Sequence, residues 1–398
     1  MKELSKVYSA VAPSATLAVD AKFKQMKADG IPVVGFGAGE PDFDTPQPIK
    51  DAAIRAIQNG ETKYTPAAGT VAVRQAVAYR LKEDFAVDYD WSNIIVSSGA
   101  KACLFAAFST LLDPGDEVVI PAPYWVSYTE QIKMVGGVPV AVFAGEDQQF
   151  KITPAQLESA ITGKTKAFVL NNPSNPTGMI YSRDELAALA RVCLDHDLYI
   201  IADEIYYRLC YDGAEFTSVI TLGEDVREHT ILINGVSKSY AMTGWRCGYA
   251  ACGNKKVAKV MANSLSHSLG SIGTMNQAAM VEALRGPQDS VEEMRKVFED
   301  RRNYMVERIN AIDGVSCLKP NGAFYVMMNI EKLIGRTLGG VEIRSAGDFA
   351  MAFLEKGLVA VVACDAFGID NFVRWTYATS KENIKEGLDR LERFLREG

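Results

Sequence analysis

Histidine is scarce: 398 residues contain three, at 196, 229 and 267. Scattered in this way, they support neither a zinc site nor a Ser-His-Asp triad, and no metal site is expected. Cysteine is equally uninformative as a framework. The seven thiols, at 103, 193, 210, 247, 252, 317 and 364, are odd in number, include no C-x-x-C, and mostly sit in apolar runs. They read as buried, reduced core residues of a cytoplasmic protein. No apolar run approaches the roughly 18 residues of a membrane span, and the opening MKELSKVYSA has no apolar signal core. There is no basic block, and the net charge is −7, which argues against a nucleic-acid partner. Repeats and low-complexity linkers are also missing. The hydrophobic share of 48% and charged share of 23% are those of a globular chain long enough for two lobes and a large core.

Short β-branched runs alternate with helical patterns from residue 93 onward. Residues 94–96, 118–120, 167–170, 198–202 and 230–233 read as strands, and 101–112 as an apolar-faced helix. Such alternation predicts a mostly parallel sheet covered by helices on both faces. Upstream, 17–29 and 47–59 read as helices and 33–36 as a short strand. Downstream, 288–308 reads as a long charged helix and 371–378 as a strand carrying one arginine. In open α/β sheets, ligands collect at the carboxyl ends of the strands, and the chemically suggestive residues fall there.

Residues 97–101, SSGAK, turn from a strand into a helix whose free N–H groups would seat a phosphate, although one glycine at such a turn is ordinary. Trp125 closes the PAPYW run after the next strand and could equally be core. Asp203, in DEIY, ends a strand. It needs a cationic partner there, or its pKa climbs. Lys238, in SKS, follows the 230–233 strand, where thin solvent would make its amine a usable nucleophile. Asp203 and Lys238 lie one strand–helix–strand unit apart, at the same sheet edge. Arg374, alone among apolar residues, wants a bidentate anion, which an internal carboxylate could also supply.

Taken together and in order, the stretches GEPDF (39–43), KYTPAAG (63–69), SGAK (98–101), NPTG (175–178), DEIY (203–206), SKSYAMTGWRCG (237–248), PNGAFY (320–325) and RWTYA (374–378) resemble the class I aminotransferases, pyridoxal-phosphate enzymes of fold type I. The resemblance covers nearly the whole chain from Ser14 on. Within the family it leans to the bacterial aspartate enzymes with Gly-Ala and Gly-Lys variants of the phosphate turn. It implies a large cofactor domain over residues 47–286, a smaller α/β domain from 14–46 and 287–398, and an arm over 1–13.

The resemblance also implies roles. Lys238 would hold pyridoxal phosphate as a Schiff base and shuttle the substrate proton. Asp203 would meet the pyridine nitrogen, Tyr206 and Asn175 the phenolic oxygen, and Trp125 the ring face. Gly99, Ala100, Lys101 and Arg246 would hold the phosphate, joined by Tyr64 from the neighbouring subunit of a homodimer with shared active sites, and Ser237 would also bind the cofactor. Gly39, Trp125, Asn175 and Arg374 would bind the substrate, with Arg374 on the α-carboxylate. The segment SLSHSLG (264–270) has no arginine of the kind that animal-type members use on the distal carboxylate; the branch resembled here implies Lys101 in that role, with Ser14 and Thr16. Lys101 as a helix-start residue and Ser14 as a helix cap are the competing assignments. The implied reaction is L-aspartate + 2-oxoglutarate = oxaloacetate + L-glutamate, by a ping-pong route. Prephenate or aromatic amino acids as substrates, or a carbon–sulfur lyase on the same scaffold, are the alternatives.

Overall fold

The structure, a computed structural model, describes residues 2–9, 11 and 17–396. Ser14 and Thr16 lie outside the described residues.

The centre is a seven-stranded sheet. Its spatial order is Ile94–Ser98, Cys247–Cys252, Thr230–Gly235, Tyr199–Asp203, Thr165–Asn171, Glu117–Ala122 and Val138–Phe143. The five strands from Thr230–Gly235 outward pair in parallel, while Cys247–Cys252 runs antiparallel to both its neighbours. Successive side chains of a strand point to opposite faces, and the two cores obey that rule. Val119, Phe168, Leu170, Ile200, Ala202 and Leu232 enter one core, with the helices Val71–Phe85, Arg183–Asp195 and Thr274–Arg285. Val118, Ile120, Ala167, Val169, Ile201, Ile231 and Ile233 enter the other, with Ala100–Leu111 and Lys255–His267. Both faces are thus dry, which is why these strands read as unbroken apolar runs.

A second sheet, antiparallel throughout, has the order Val362–Ala363, Phe372–Thr376, Tyr325–Asn329 and Ser316–Cys317. Its core takes Met294, Phe298, Met305 and Ile309 from the long helix Asp289–Asn310, and Leu388 and Leu391 from Lys381–Arg396. Val34–Gly35 pairs in parallel with Val359–Ala360, so the expected strand at 33–36 is present as a short ladder. This core also receives Ile205, Tyr206, Leu209 and Tyr211, which directly follow a strand of the large sheet.

The two sheets are sewn together near those residues. Asn321 and Gly322 N–H both donate to Gly178 C=O, Ala323 N–H to Leu209 C=O, and Tyr211 N–H to Asn321 C=O, at 2.8–3.1 Å. A side chain on Gly178 would lie 2.5 Å from Pro320 Cβ and 2.7 Å from Gly322 O, so the close approach requires glycine there. Elsewhere on the pocket rim, Tyr124 N–H donates to Phe367 C=O at 2.9 Å. At the start of the chain, Lys6–Ser9 is a short exposed helix lying against Ser127–Met134. Among the described residues, no helix is long and apolar enough to cross a membrane.

Candidate active site

A cleft of about 440 Å³ opens where the carboxyl ends of the parallel strands face the second sheet. Gly39, Ala100, Lys101, Trp125, Asn175, Asp203, Tyr206, Ser237, Lys238, Arg246 and Arg374 all line it. The lining therefore gathers most of the residues singled out from the sequence, drawn from segments far apart along the chain.

Lys238 follows the strand Thr230–Gly235, and its Nζ donates to Gly39 C=O at 2.6 Å. Burial brings its pKa down to about 8; Arg246 and Arg374 lower it, against the opposing fields of Glu40 and Asp203. At pH 7 that raises the neutral-amine fraction from about 1 in 3,000 for a free lysine to about 1 in 10. Asp203 is buried, and burial pushes its pKa up to about 6. Tyr128 O–H donates to its Oδ2 at 2.7 Å and Ile205 N–H to its Oδ1 at 3.3 Å, and both bonds favour the carboxylate form. No lysine or arginine among the described residues reaches it at ion-pair distance. A buried carboxylate held in this way still has room for a cationic partner.

Gly99 caps the helix Ala100–Leu111 with φ +82°, and a Cβ there would sit 2.6 Å from Arg246 Nη2. The first N–H groups of that helix have no carbonyl one turn back. Together with the Arg246 guanidinium they converge on one spot, and Arg246 has no carboxylate partner among the described residues. Arg246 reaches this spot because Cys247–Cys252 runs antiparallel, which brings the start of that strand beside the ends of its neighbours: Ser98 pairs with Cys247, and Gly235 with Gly248.

At the other side stands Arg374, 5% exposed, in the strand Phe372–Thr376. Its Nη1 donates to Asn175 Oδ1 at 2.9 Å and its Nη2 to Gly37 C=O at 3.2 Å, while Nε is buried without a partner. Its guanidinium lies 4.3 Å from the centroid of Tyr325 and 5.2 Å from that of Phe367. The internal carboxylate that could have paired with it is absent among the described residues, so this buried cation has unfilled demand for an anion. Lys101 is the second residue of its helix, with Nζ 4.9 Å from the Trp125 ring centroid; burial, then Arg246, holds its pKa below the usual lysine value. Tyr64 does not line this cleft. It is fully exposed, on a separate surface hollow with Arg55, Lys63 and Thr274.

Several lining residues carried no assignment from sequence. Asn171 bridges the loops: its Nδ2 donates to Asp203 C=O at 2.9 Å, and its Oδ1 accepts from Asn175 N–H at 2.7 Å. Tyr128 stacks edge-on against Trp125, three residues earlier. Tyr325 and Phe367 come from the second sheet and its connecting turn. PNGAFY contained Tyr325 but gave no hint that its hydroxyl would reach Tyr206.

A depressed lysine, a buried unpaired carboxylate and an anion seat at a helix start, on a doubly covered parallel sheet, define a pyridoxal-phosphate enzyme of fold type I. The donor set fits that cofactor: an amine for its carbonyl, a carboxylate for its ring nitrogen and a cradle for its phosphate. The chain belongs to the aminotransferase class I and II family, whose model matches residues 31–391. It is 48% identical over 397 residues to the aspartate aminotransferase of Bacillus sp. strain YM-2, covering all of both chains. It is 43% identical over 398 residues to a probable aspartate/prephenate aminotransferase of Aquifex aeolicus, covering 100% of this chain and 99% of that one. Among solved structures, aspartate aminotransferase from Thermus thermophilus with maleate superposes with a TM-score of 0.93. It has 41% identity and covers 99% of this chain and 100% of that one.

Proposed function

We propose that this aminotransferase moves the amino group of L-aspartate to 2-oxoglutarate, giving oxaloacetate and L-glutamate by a ping-pong route. The observation that carries this reading is a pair of cations with no carboxylate partner among the described residues: buried Arg374, and Lys101 above Trp125. They can take the two carboxylates of one substrate. Maleate, which accompanies the Thermus enzyme in its structure, is such a dicarboxylate. The Aquifex relative's name favours a second reading, in which prephenate is also accepted.

Pyridoxal phosphate, when bound, supplies the electron sink that makes the substrate Cα–H acidic. The residues do the rest. Lys238 holds the cofactor and, as a free amine, carries the proton from Cα. Asp203 keeps the ring nitrogen protonated, with Tyr128 orienting its carboxylate. Arg246, Ser237 and the start of the Ala100–Leu111 helix grip the phosphate, Trp125 covers the ring, and Tyr206 and Asn175 meet its phenolic oxygen. Arg374, assisted by Gly39 and Asn175, would fix the α-carboxylate and so orient the substrate Cα for proton loss to Lys238. In this reading residues 47–286 form the cofactor domain, 14–46 with 287–398 the small domain and 1–13 an arm. The separate cores support the division, with residues 205–211 reaching across it.

Lys101→Ala tests the specificity. Loss of a charge-assisted contact should lower kcat/KM for aspartate by about 1.5–3 kcal/mol while sparing phenylalanine and cofactor retention. Equal losses on both donors would remove Lys101 from the distal grip.

The reading extends to a cytoplasmic homodimer in which exposed Tyr64 reaches the phosphate of the partner subunit. Seven cysteines without a disulfide accord with that compartment. Hybrids of Tyr64→Phe and Lys238→Ala subunits should regain about half the activity of a native dimer, because sharing gathers both lesions into one site. Hybrids no better than the Tyr64→Phe protein would mean that each chain completes its own site.

A further inference from the structure

Tyr325 is fully buried at the start of the strand Tyr325–Asn329 and serves no core contact that phenylalanine could not make. Its strand pairs with Phe372–Thr376 so that Met327 faces Arg374 and Tyr325 faces Thr376. Tyr325 and Arg374 are therefore diagonal neighbours on one face of an antiparallel ladder, within reach of an aromatic ring and a long side chain. The ring underlies the guanidinium at 4.3 Å. The hydroxyl lies 3.1 Å from Tyr206 Oη, close enough for either phenol to be the donor. It also occupies the space beside Gly39, where a Cβ would come within 3.0 Å of it.

We propose that Tyr325 is a positioning residue that joins the carboxylate grip to the cofactor's phenolic oxygen: its ring supports Arg374, and its hydroxyl donates to Tyr206, so that the Tyr206 proton points into the cleft. The inference rests on the proposed contact between Tyr206 and that oxygen. The direction of the bond follows from the surroundings. A phenol has one proton, so Tyr206 can donate into the cleft only if the Tyr206–Tyr325 bond uses the Tyr325 proton. The Arg374 guanidinium favours Tyr325 as the more acidic of the two. Burial raises both phenols and Arg374 opposes the rise at each, but its guanidinium lies directly over the Tyr325 ring. Chains of hydrogen bonds strengthen one another in a dry site. A Tyr206 hydroxyl that accepts from Tyr325 is thus a better donor than an isolated one.

The test is a pH titration of the visible absorbance of the lysine-bound cofactor in wild type, Tyr206→Phe, Tyr325→Phe and the double variant, together with KM for aspartate in these proteins and Tyr325→Leu. A donor on the ring oxygen withdraws density from it and lets the adjacent nitrogen release its proton at lower pH. Losing Tyr206 should move the midpoint upward. Tyr325→Phe should move it in the same direction by about half as much, and the double variant should move it no further than Tyr206→Phe alone. KM should rise on the order of tenfold in Tyr325→Leu, which loses the ring, and far less in Tyr325→Phe, which keeps it. An unmoved midpoint in Tyr325→Phe beside a clear shift in Tyr206→Phe would overturn the role of Tyr325 and leave the Tyr206 contact standing. Additive shifts in the double variant would overturn it too. No shift in Tyr206→Phe would remove the contact on which the inference rests, and the inference with it.

Discussion

The seven-stranded sheet feeds the cleft from where its strands stop: Asp203 is the last residue of one, and Lys101, Trp125, Asn175 and Lys238 lie in segments just beyond four others. The four-stranded sheet feeds it from inside its strands, with Arg374 in the middle of one and Tyr325 at the start of its neighbour. Loops after strands can be shaped to hold a group from several sides, as Asn171 does by tying Asp203 to Asn175. A strand can present one side chain at a fixed height, with the ladder resisting any change of register. The first arrangement suits a cofactor that must be gripped at ring nitrogen, ring face and phosphate. The second suits a single ion pair that must be held at one angle.

The largest effect expected on either side is at Lys238. Lys238→Ala should lower kcat by at least about 10⁴-fold, since the proposed function gives this one residue both the anchor and the proton-carrier role, while circular dichroism stays native. Turnover within about tenfold of wild type would remove Lys238 from both roles. On the other side, Arg374→Lys keeps the charge and loses the planar fork. A drop on the order of 100-fold in kcat/KM, about 2.7 kcal/mol, is expected for every amino donor, since all share the α-carboxylate. A loss confined to dicarboxylic donors would mean that Arg374 binds the distal group instead.

The smallest effect concerns Glu204, next to Asp203 but directed to the opposite face of the sheet. Ser218 O–H and Val219 N–H donate to it at 2.6 and 3.0 Å, and burial raises its pKa to about 8. Its folded pKa lies above its unfolded value of 4.5, so its stabilising contribution is complete below pH 4.5 and is lost as pH climbs through 8. Glu204→Gln should melt close to wild type at about pH 5 and on the order of a few degrees higher at about pH 9. A difference independent of pH would show that the carboxyl is not neutral in the folded protein.

How much of this was legible followed the same division. The parallel strands read well because both faces are dry and each is a run of β-branched or aliphatic residues. Two strands of the seven-stranded sheet did not. Val138–Phe143 is an edge strand whose Val138 and Phe143 are exposed, so it lacks the buried run. Cys247–Cys252 is built of CGYAAC, which has no β-branched residue to mark it. The candidate residues after the strands were found through motifs. Tyr128, Asn171, Tyr325 and Phe367 were not assigned, because what matters about them is a partner far away in sequence: 75 positions from Tyr128 to Asp203, and 119 from Tyr325 to Tyr206. Lys101 was found, but whether it starts a helix or grips a substrate is a matter of where its amine lies, over Trp125, and no spacing encodes that.

The main-chain seam at Gly178, Leu209, Tyr211 and residues 321–323 has a mechanical consequence. Four hydrogen bonds and a glycine in direct contact with proline make it stiff, whereas the tie from Tyr124 to Phe367 is a single bond. Tyr206 and Tyr325 lie within three residues of this seam, so main chain from both sheets braces the phenol pair. Phe367 is held instead by packing, in a buried cluster with Phe150, Met179 and Phe372.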